Sequence, residues 1–347
     1  MIDDYRNRIY HLIGSPFEIG CTMGQTLGSR LAANIERYCR ERVPVSVSLD
    51  RQAWQSGALP WLRNLPPRFL EEFEGLAQGS GLPLQRLAEW AYLDSIADDQ
   101  CSGAILTIDD QVWVVRNNDT YAPGMWGYVT IREVSGRIPA ISFGMEGDVF
   151  TPTGVNQEKL WLHYNYLPVW DTPAPGHTHL PGYIWMVEAL ETCRTHRDLE
   201  TLLNNIQRDG GMLLFAVDGK SNEFAVYECS CTEVHKREPA QGWLVGTNHY
   251  CTYPQAPIPS NVEPLSTTSR YDRMEALVED LSSRNAHGSL VHELIGILAD
   301  DAIEERTGDI VTAYSNVACP GKKEIWYTFG GYPAASKGNW QKLDWPW

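Results

Sequence analysis

The fold is decided by residues 101–120, CSGAILTIDDQVWVVRNNDT, because the spacing of apolar residues changes here. Before this stretch apolar residues recur every three or four positions, as in amphipathic helices, and from Cys101 onward they alternate as in strands. Ala104–Ile108 and Val112–Asn117 flank the turn Asp109-Asp110-Gln111. This pattern predicts a β-hairpin with Cys101 just before its first strand.

The return strand of this hairpin ends at Arg116-Asn117-Asn118-Asp119. The two strands of a hairpin are antiparallel, so the end of the second strand lies beside the start of the first. Taken singly, these residues are ordinary, and a lone cysteine is most often a small buried hydrophobic residue. Together they form a constellation, and we expect Cys101, Arg116 and Asp119 to meet in space.

Upstream of the hairpin the sequence predicts helices. Ser15 is suited to an N-cap, Pro16 to the first helical position and Glu18 to a capping box, which predicts a helix from there to about Arg42.

A loop that contains Pro and Trp residues follows, and then two amphipathic helices at about Pro67–Ala77 and Pro83–Ala97. In the first helix Gly20, Gly24 and Gly28 recur every fourth residue and form a flat strip against which another backbone can pack closely.

Downstream, alternating segments predict further strands at 127–134, 138–144, 160–166, 212–217, 223–229, 232–236, 243–247, 309–315 and 324–329. Helical periodicity predicts helices at 183–195, 198–207 with Asp198 at or near the N-cap, 269–283 and 289–299. This order of elements indicates an α+β fold, a four-layer αββα sandwich of two mainly antiparallel sheets with helices on both outer faces.

Composition excludes several classes of function. The chain has 347 residues, with 28 basic and 44 acidic side chains and a net charge of −16, so it repels nucleic acids and anionic membranes. The spacing of the eight cysteines fits neither a zinc site nor a disulfide framework, and we expect no metal and no cofactor. No secretory signal or membrane span is visible, which favours a cytoplasmic protein.

Several motifs along the chain resemble those of the isopenicillin-N (acyl-CoA:6-aminopenicillanate) acyltransferase family of N-terminal nucleophile (Ntn) hydrolases, and more distantly choloylglycine hydrolase and penicillin V acylase. The motifs are Gly14-Ser15-Pro16-x-Glu18-x-Gly20, Cys101-Ser102, Arg116-Asn117-x-Asp119, Thr153–Asn156, Tyr164–Tyr166, Gly246–Tyr250 and Ser266–Tyr271. The resemblance implies that the precursor cuts its own Gln100–Cys101 bond. Residues 1–100 would then be a helical small subunit that is retained, and residues 101–347 the catalytic segment of one shared fold.

The chemistry of the residues fits this expectation. A thiol with an ordinary pKa of about 8.5 needs a base, and a free α-amine with a pKa of about 7.7–8.0 is suited to the task. Cys101 would therefore be the nucleophile and carry its own base. Arg116 would favour the neutral amine and the thiolate, and Asp119 would hold the amine by a hydrogen bond.

The resemblance also implies roles for residues farther along the chain. Asn248 and Asn165 would donate hydrogen bonds to the oxyanion, while Arg270 would support the site electrostatically or bind an anionic group. We expect Trp126, Tyr166 and Ser102 to contact the substrate. The aromatic residues near the site favour an apolar or aromatic acyl group.

The sequence leaves alternatives open. The same thioester would serve a hydrolase of linear amides, such as N-acyl amines or N-acyl amino acids, or an acyltransferase. Cys101 and His249 could instead form a papain-like pair that needs no free amine. A third alternative is an unprocessed binding protein, since Gln100 stands where a glycine is common and adds bulk at the cleavage site.

The expected partners are a small amide substrate and the cleaved 1–100 fragment. Residues 340–347, which are rich in Trp, would pack on a neighbouring layer or on a second copy of the chain, and the sequence leaves both open.

Overall fold

The structure, a computed structural model, describes residues 5–42, 50–96, 99–172, 180–258, 265–284, 288–306 and 308–347. Its helices are α1 Pro16–Leu27, α2 Ser29–Arg42, α3 Arg51–Arg63, α4 Pro67–Ser80, α5 Leu84–Ser95, α6 Gly182–Thr192, α7 His196–Asn205, α8 Thr267–Ser283, α9 Leu290–Leu298 and α10 Ala334–Lys337. Its strands are β1 Ile9–Gly14, β2 Gln100–Ile108, β3 Gln111–Thr120, β4 Trp126–Val134, β5 Ala140–Met145, β6 Thr153–Asn156, β7 Leu160–Leu167, β8 Gly211–Asp218, β9 Glu223–Cys229, β10 Val234–Arg237, β11 Trp243–Gly246, β12 Val311–Cys319, β13 Glu324–Phe329 and β14 Asn339–Leu343.

The predicted hairpin is confirmed as β2 and β3, which pair antiparallel along their full length. Its loop is shorter than expected, because only Asp109 and Asp110 lie outside the strands. Both have positive φ angles, 49° and 59°, which suits the two-residue turn that joins right-twisted strands. Cys101 lies inside β2 rather than just before it, since Gln100 already pairs with Asp119.

The strands form two sheets. The first has the order β1-β4-β5-β6-β7-β8-β9-β10, and the second has the order β11-β2-β3-β12-β13-β14. The pairing of β1 with β4 is parallel and the other pairings are antiparallel. The β1 strand was not predicted, so the residues before Cys101 contribute a strand as well as helices.

Three clusters of buried apolar side chains lie between the layers and hold them together. The central cluster contains side chains from both sheets and from α1–α5. A second cluster packs α8 and α9 against β2, β3 and β12, and a third packs α6 and α7 against β7, β8 and β9. The predicted α+β sandwich with helices outside two mainly antiparallel sheets is therefore confirmed. In the described ranges no helix combines the length and the apolar character needed to cross a membrane.

Some helices differ from the prediction. The first predicted helix is two helices, because the chain breaks at Gly28, where φ is +52°. The predicted loop after it contains α3, whose buried residues Trp54, Ala58 and Leu62 are spaced four apart and outweigh the internal Pro60. The helix predicted at Pro83–Ala97 corresponds to α5, which ends at Ser95, and position 97 lies outside the described residues.

The start of α7 also differs from the prediction. Thr195 is the N-cap of α7. Asp198 lies in the first turn and accepts a hydrogen bond from the backbone of Arg194 at 2.8 Å.

A buried ion-pair network joins the first hundred residues to the rest of the chain. Arg132 on β4 donates two hydrogen bonds of 2.7 Å to Glu72 on α4 and one of 3.1 Å to Glu191 on α6. Arg68 on α4 also donates to Glu191. Each of these four side chains is less than one-tenth exposed, so each buried charge is stabilised by its oppositely charged partners rather than by water.

The predicted glycine strip is confirmed for Gly20 and Gly24, which form the contact between α1 and α4, but not for Gly28, which ends α1 and where a Cβ would meet nothing within 4 Å. A Cβ on Gly20 would lie 2.0 Å from the carbonyl oxygen of Glu72, and a Cβ on Gly75 would lie 2.0 Å from that of Phe17. Both distances are far shorter than van der Waals contact. The two backbones touch, and any larger side chain at these positions would separate the helices.

We therefore expect Gly75→Ala to lower the free energy of unfolding by about 1–3 kcal/mol, because the added methyl group overpacks this contact. The control is Gly57→Ala on α3, where a Cβ would meet nothing within 4 Å and should stabilise the helix by about 0.5–1 kcal/mol. Urea unfolding of the two variants would measure the difference. Equal effects of the two substitutions would contradict the close helix contact.

Candidate functional site

The register of the hairpin decides which side chains share a face with Cys101. Cys101 pairs directly with Asn118, two positions beyond Arg116. On the same face of these strands Ile105 and Val114 belong to the central cluster between the sheets. Because side chains alternate along a strand, Cys101, Arg116 and Asn118 face the other sheet.

The opposite face of the hairpin carries Ser102, Asn117 and Asp119. Their neighbours of the same parity, Ala104 and Val115, belong to the outer cluster with α8 and α9. Arg116 and Asp119, which the sequence motif groups together, therefore approach Cys101 from opposite faces of the sheet. This division follows because the two residues are three positions apart in the strand, and residues an odd number of positions apart face opposite sides of a sheet.

The Cys101 sulfur is buried and surrounded by polar groups. Nη2 of Arg116 lies 3.5 Å from Sγ, and Sγ lies 3.8 Å from Oδ1 of Asn118. The main chain of Asp119 also lowers the pKa of this thiol. Burial raises the pKa of the thiol to about 12, and the positive charge of Arg116 opposes that rise. In the uncut chain the thiol is therefore protonated at neutral pH.

Arg116 is completely buried, and its guanidinium is held by acceptors from both sheets. Nη1 donates to the carbonyl oxygen of Tyr164 and, at 3.1 Å, to Oδ1 of Asn165 on β7. Nη2 donates to Oδ1 of Asn118 at 2.6 Å. The amide of Asn165 donates in turn to the carbonyl of Thr247 at 3.1 Å, so Asn165 fixes Arg116 across the gap between the sheets.

Asn248 contacts the main chain on both sides of the scissile bond that the sequence predicted. Its Oδ1 accepts hydrogen bonds from the backbone N–H of Cys101 at 2.9 Å and from Nη2 of Arg270 at 3.0 Å. Its Nδ2 donates to the carbonyl of Tyr166 at 2.9 Å and to that of Asp99 at 3.4 Å. The side-chain amide is thus fixed with its oxygen toward the nitrogen of Cys101.

Arg270, on α8, binds the residues on both sides of the Gln100–Cys101 peptide bond. Nη1 donates to the carbonyl of Cys101 and to Oγ of Ser102, both at 2.8 Å. Nη2 donates to Oε1 of Gln100, also at 2.8 Å. The side chain of Gln100 is therefore an anchored part of the site, and Ser102 faces Arg270 rather than the space between the sheets.

Asp119 lies on the Arg270 side of the sheet and is completely buried. Its Oδ1 accepts a hydrogen bond of 2.6 Å from Thr312, and its Oδ2 is 3.8 Å from Nη1 of Arg270. Burial raises the pKa of Asp119 to about 6, against the opposing charge of Arg270. Among the described residues Oδ2 has no hydrogen-bond partner, so this oxygen can still accept one.

A cavity of about 30 Å³ opens beside the sulfur of Cys101. Its aromatic lining is formed by Trp126, Tyr164 and Tyr183, and its polar lining includes Asn118 and the carboxyl groups of Asp94, Asp99 and Asp148. A volume of this size holds one or two waters and is too small for an acyl group. Asp94 and Asp99 precede the predicted cleavage site, so the segment before Cys101 forms part of the cavity wall.

Of the remaining predicted site residues, one lines the cavity beside the sulfur and the others are not part of its lining. Trp126 lines the cavity. Tyr166 contributes its carbonyl to Asn248, and its side chain is not part of the cavity lining. Nδ1 of His249 lies within hydrogen-bond distance of the hydroxyls of Thr247 and Thr267, and within the described chain no hydrogen bond joins His249 to Cys101.

The motif Arg-Asn-x-Asp gave no reason to single out Asn118, which occupies its variable position. The signal that could have found it is strand alternation. Asn118 is opposite Cys101 in the hairpin and has the same parity as Arg116, so its side chain has to lie on the sulfur side.

Comparison with known proteins gave the following results. No protein-family model matches the chain, and no curated protein matches it. Solved structures resemble it at low identity, among them the following three.

A mutant conjugated bile acid hydrolase from Clostridium perfringens has 12% identity over 71% of this chain and 97% of that one, with a TM-score of 0.48. An N-acylethanolamine-hydrolyzing acid amidase ortholog from Caenorhabditis elegans has 16% identity over 64% and 93%, with a TM-score of 0.47. Penicillin V acylase from Agrobacterium tumefaciens has 12% identity over 70% and 86%, with a TM-score of 0.49. At these values the likeness carries no conclusion about activity or substrate.

The pKa of Asp119 makes the stability of the protein depend on pH. The pKa of Asp119 is about 6 in the folded chain, and its ordinary value, which applies to the unfolded chain, is 3.8. Between pH 3.8 and pH 6 the folded chain therefore binds more protons than the unfolded chain. Stability contributed by protonated Asp119 is therefore lost as pH rises from about 4 to 7, by at most about 3 kcal/mol. Asp119→Asn should remove this dependence.

The measurement is the free energy of urea unfolding at several pH values, with and without Asp119→Asn, in a Cys101→Ala background that keeps the chain in one covalent form. The difference between the two proteins should change steadily across this pH range. A difference that stays constant would show that Asp119 does not titrate there.

Proposed function

We propose that this chain is a self-processing cysteine amidohydrolase of the Ntn type. It cuts the Gln100–Cys101 bond and then hydrolyses linear, non-peptide amides through a thioester on Cys101. The observation that carries the proposal is the environment of one residue. The nitrogen of Cys101 is bound by Asn248, its sulfur is contacted by Arg116, and its carbonyl is bound by Arg270.

The proposed self-cleavage begins with an N→S acyl shift. The sulfur of Cys101 attacks the carbonyl carbon of Gln100, a C–S bond forms and the C–N bond breaks. The nitrogen leaves as an amine and takes up the proton that the thiol loses. Water then hydrolyses the thioester, which gives a carboxylate on Gln100, restores the thiol of Cys101 and releases one proton that the new α-amine can take up. Atoms and charges balance without any cofactor.

After the cut, the amine of Cys101 is the base that its buried thiol lacks in the uncut chain. An α-amine has a reference pKa of about 7.7–8.0, which suits proton transfer near neutral pH. Asn248 Oδ1 already accepts a hydrogen bond from this nitrogen, and Asp119 Oδ2 is available to accept another. Arg116, beside the sulfur, favours the thiolate that forms when the amine takes its proton.

In the second reaction the thiolate attacks the carbonyl carbon of the substrate amide. The C–S bond forms, the C–N bond breaks, and the amine product leaves with the proton held by the α-amine. Water releases the acid from the thioester, and an acceptor amine in its place would give acyl transfer instead. The proposed enzyme thus needs one nucleophile for both bonds that it cuts.

The oxyanion formed during attack needs donors, and Asn248 is suited to supply one. Its Nδ2 bonds to the carbonyl of Asp99 at 3.4 Å, and Asp99 lies on the released side of the proposed cut. Displacement of that segment would free one N–H of Asn248 for the oxyanion. Both hydrogen bonds donated by Asn165 go to the carbonyls of Gly246 and Thr247, which supports a positioning role for Asn165 instead.

The central prediction concerns Cys101. The purified wild-type protein should contain two fragments, residues 1–100 and 101–347, and hydrolyse amides. Cys101→Ala should remain one intact chain with no turnover, because both reactions need the same sulfur. Intact-mass spectrometry and a panel of N-acyl amides would measure these outcomes.

Cys319→Ala is the matched control, since Cys319 is another buried strand cysteine and lies in β12. Its fragments should match those of the wild type. A Cys101→Ala protein that still divides at residue 100 would refute the proposal. An intact wild-type chain would favour the binding-protein alternative.

A second prediction concerns Gln100, whose Oε1 accepts a hydrogen bond from Arg270. Gln100→Met has a similar shape but no acceptor, so self-cleavage should slow by roughly 10-fold or more, in line with the loss of a hydrogen bond to a charged donor. Gln100→Glu keeps an acceptor at the same place and should cleave at a rate close to that of the wild type. A time course of fragment appearance measures both rates, and equal rates for Met and Gln would contradict a role for this contact.

A further inference from the structure

Asn118 lines the cavity beside Cys101, and its side-chain amide nitrogen has no hydrogen-bond partner among the described residues. The residue is 1% exposed and lines this cavity. Arg116 donates to Oδ1 at 2.6 Å, which fixes the orientation of the amide, because a reversed amide would place two donors against each other. Within the described chain Nδ2 has no acceptor.

An amide group buried in this way costs free energy unless a ligand supplies the missing acceptor, since an unsatisfied buried donor costs about 1–3 kcal/mol. The aromatic lining residues Trp126, Tyr164 and Tyr183 would suit a plain apolar acyl group, which needs no hydrogen-bond donor in the pocket wall. Small-molecule pockets are mostly apolar, with a few polar groups that determine specificity. Asn118 has the position and the chemistry of such a group.

We infer that Asn118 donates a hydrogen bond from the wall of the acyl pocket to an oxygen on the acyl group, so that the preferred substrates are amides of neutral hydroxyacyl groups. This inference rests on the function proposed above, because it places the acyl group on the sulfur of Cys101. It changes the expectation of a purely apolar or aromatic acyl group.

The position of the acceptor follows from the distance between Asn118 and the sulfur. Oδ1 lies 3.8 Å from Sγ, and Nδ2 is bonded to the same carbon as Oδ1. In a thioester the carbonyl carbon is attached to Sγ, so an oxygen on the second or third carbon of the acyl group can reach Nδ2. A hydroxyl on a distant part of a long chain cannot reach it.

Burial of the cavity explains why the acyl group should be neutral. Asp148 lines the cavity from the segment that follows the proposed cut, and Asp94, Asp99 and the cation Arg116 line it as well. Burial raises the pKa of Asp94 to about 6 and that of Asp148 well above its usual value, and the same burial would make a carboxylate on the acyl group costly. A hydroxyl can accept from Asn118 and also donate to a carboxyl group.

The test uses the processed wild-type enzyme and matched pairs of amides of one chromogenic amine. Each pair has the same chain length and differs only by a hydroxyl on the second or third carbon. We expect kcat/KM of the wild type to favour one of the hydroxyacyl amides by roughly 10- to 100-fold, the range given by the cost of an unsatisfied donor. Asn118→Leu, which removes the donor at similar volume, should reduce the ratio to near one.

The matched control is Asn204→Leu on α7, an exposed position, where the ratio should equal that of the wild type. A wild-type enzyme that prefers the plain acyl amides, or that cleaves both alike, would overturn the inference. Asn118→Leu that lowers kcat/KM for both members of a pair equally would also overturn it, and would assign Asn118 to the oxyanion instead.

The results that would overturn this inference differ from those that would overturn the proposed function. If the proposed function is wrong, the wild-type chain will remain uncut and will hydrolyse no amide of the panel. The wild-type ratio needs no variant, so the inference can be refuted even if Asn118→Leu fails to fold.

Discussion

Two buried guanidinium groups determine the structure around Cys101. Arg116 approaches this residue from the face between the sheets, and Arg270 approaches it from the face covered by α8. A buried cation is costly unless its N–H groups find acceptors, so each arginine imposes positions on its neighbours. Asn165 and Asn118 are held by Arg116, whereas Gln100, Ser102 and Asn248 are held by Arg270.

This arrangement depends in turn on the four layers. Arg116 takes acceptors from β7 in one sheet and from β3 in the other, so the two sheets have to be correctly stacked before its contacts exist. Arg270 depends on α8 lying against β2. A chain that has not folded cannot assemble this environment, which is consistent with a self-cleavage step that follows folding rather than precedes it.

Much of this fold was predictable from local patterns. The change of period at Cys101 predicted the hairpin, and the spacing of Gly20 and Gly24 predicted a close helix contact. Features that depend on distant partners were missed. The β1 strand is stabilised by β4, more than a hundred residues away, and α3 forms in spite of Pro60 because its buried side chains pack in the core.

The site shows the same limit. The hairpin predicted from local sequence was enough to bring Cys101 and Arg116 together. The hydrogen bond between Arg270 and Gln100, in contrast, joins residues 170 positions apart. From its type alone Gln100 was interpreted as added bulk at the cleavage site, whereas in the structure its side chain is bound by Arg270. Strand alternation was enough to predict that Asn118 faces the sulfur, although this residue occupies the variable position of the motif.

The network of Arg68, Glu72, Arg132 and Glu191 has a consequence for the descent of this protein. Two of these charges lie before residue 100 and two lie after it. Loss of one of these side chains removes hydrogen bonds from a buried charge on the other side of the proposed cut. Without Arg132, for example, Glu72 would lose both hydrogen bonds that it accepts from β4. We therefore expect a substitution in one segment to favour a compensating substitution in the other, so that an exchange of one segment for that of a distant relative would work best together with its counterpart.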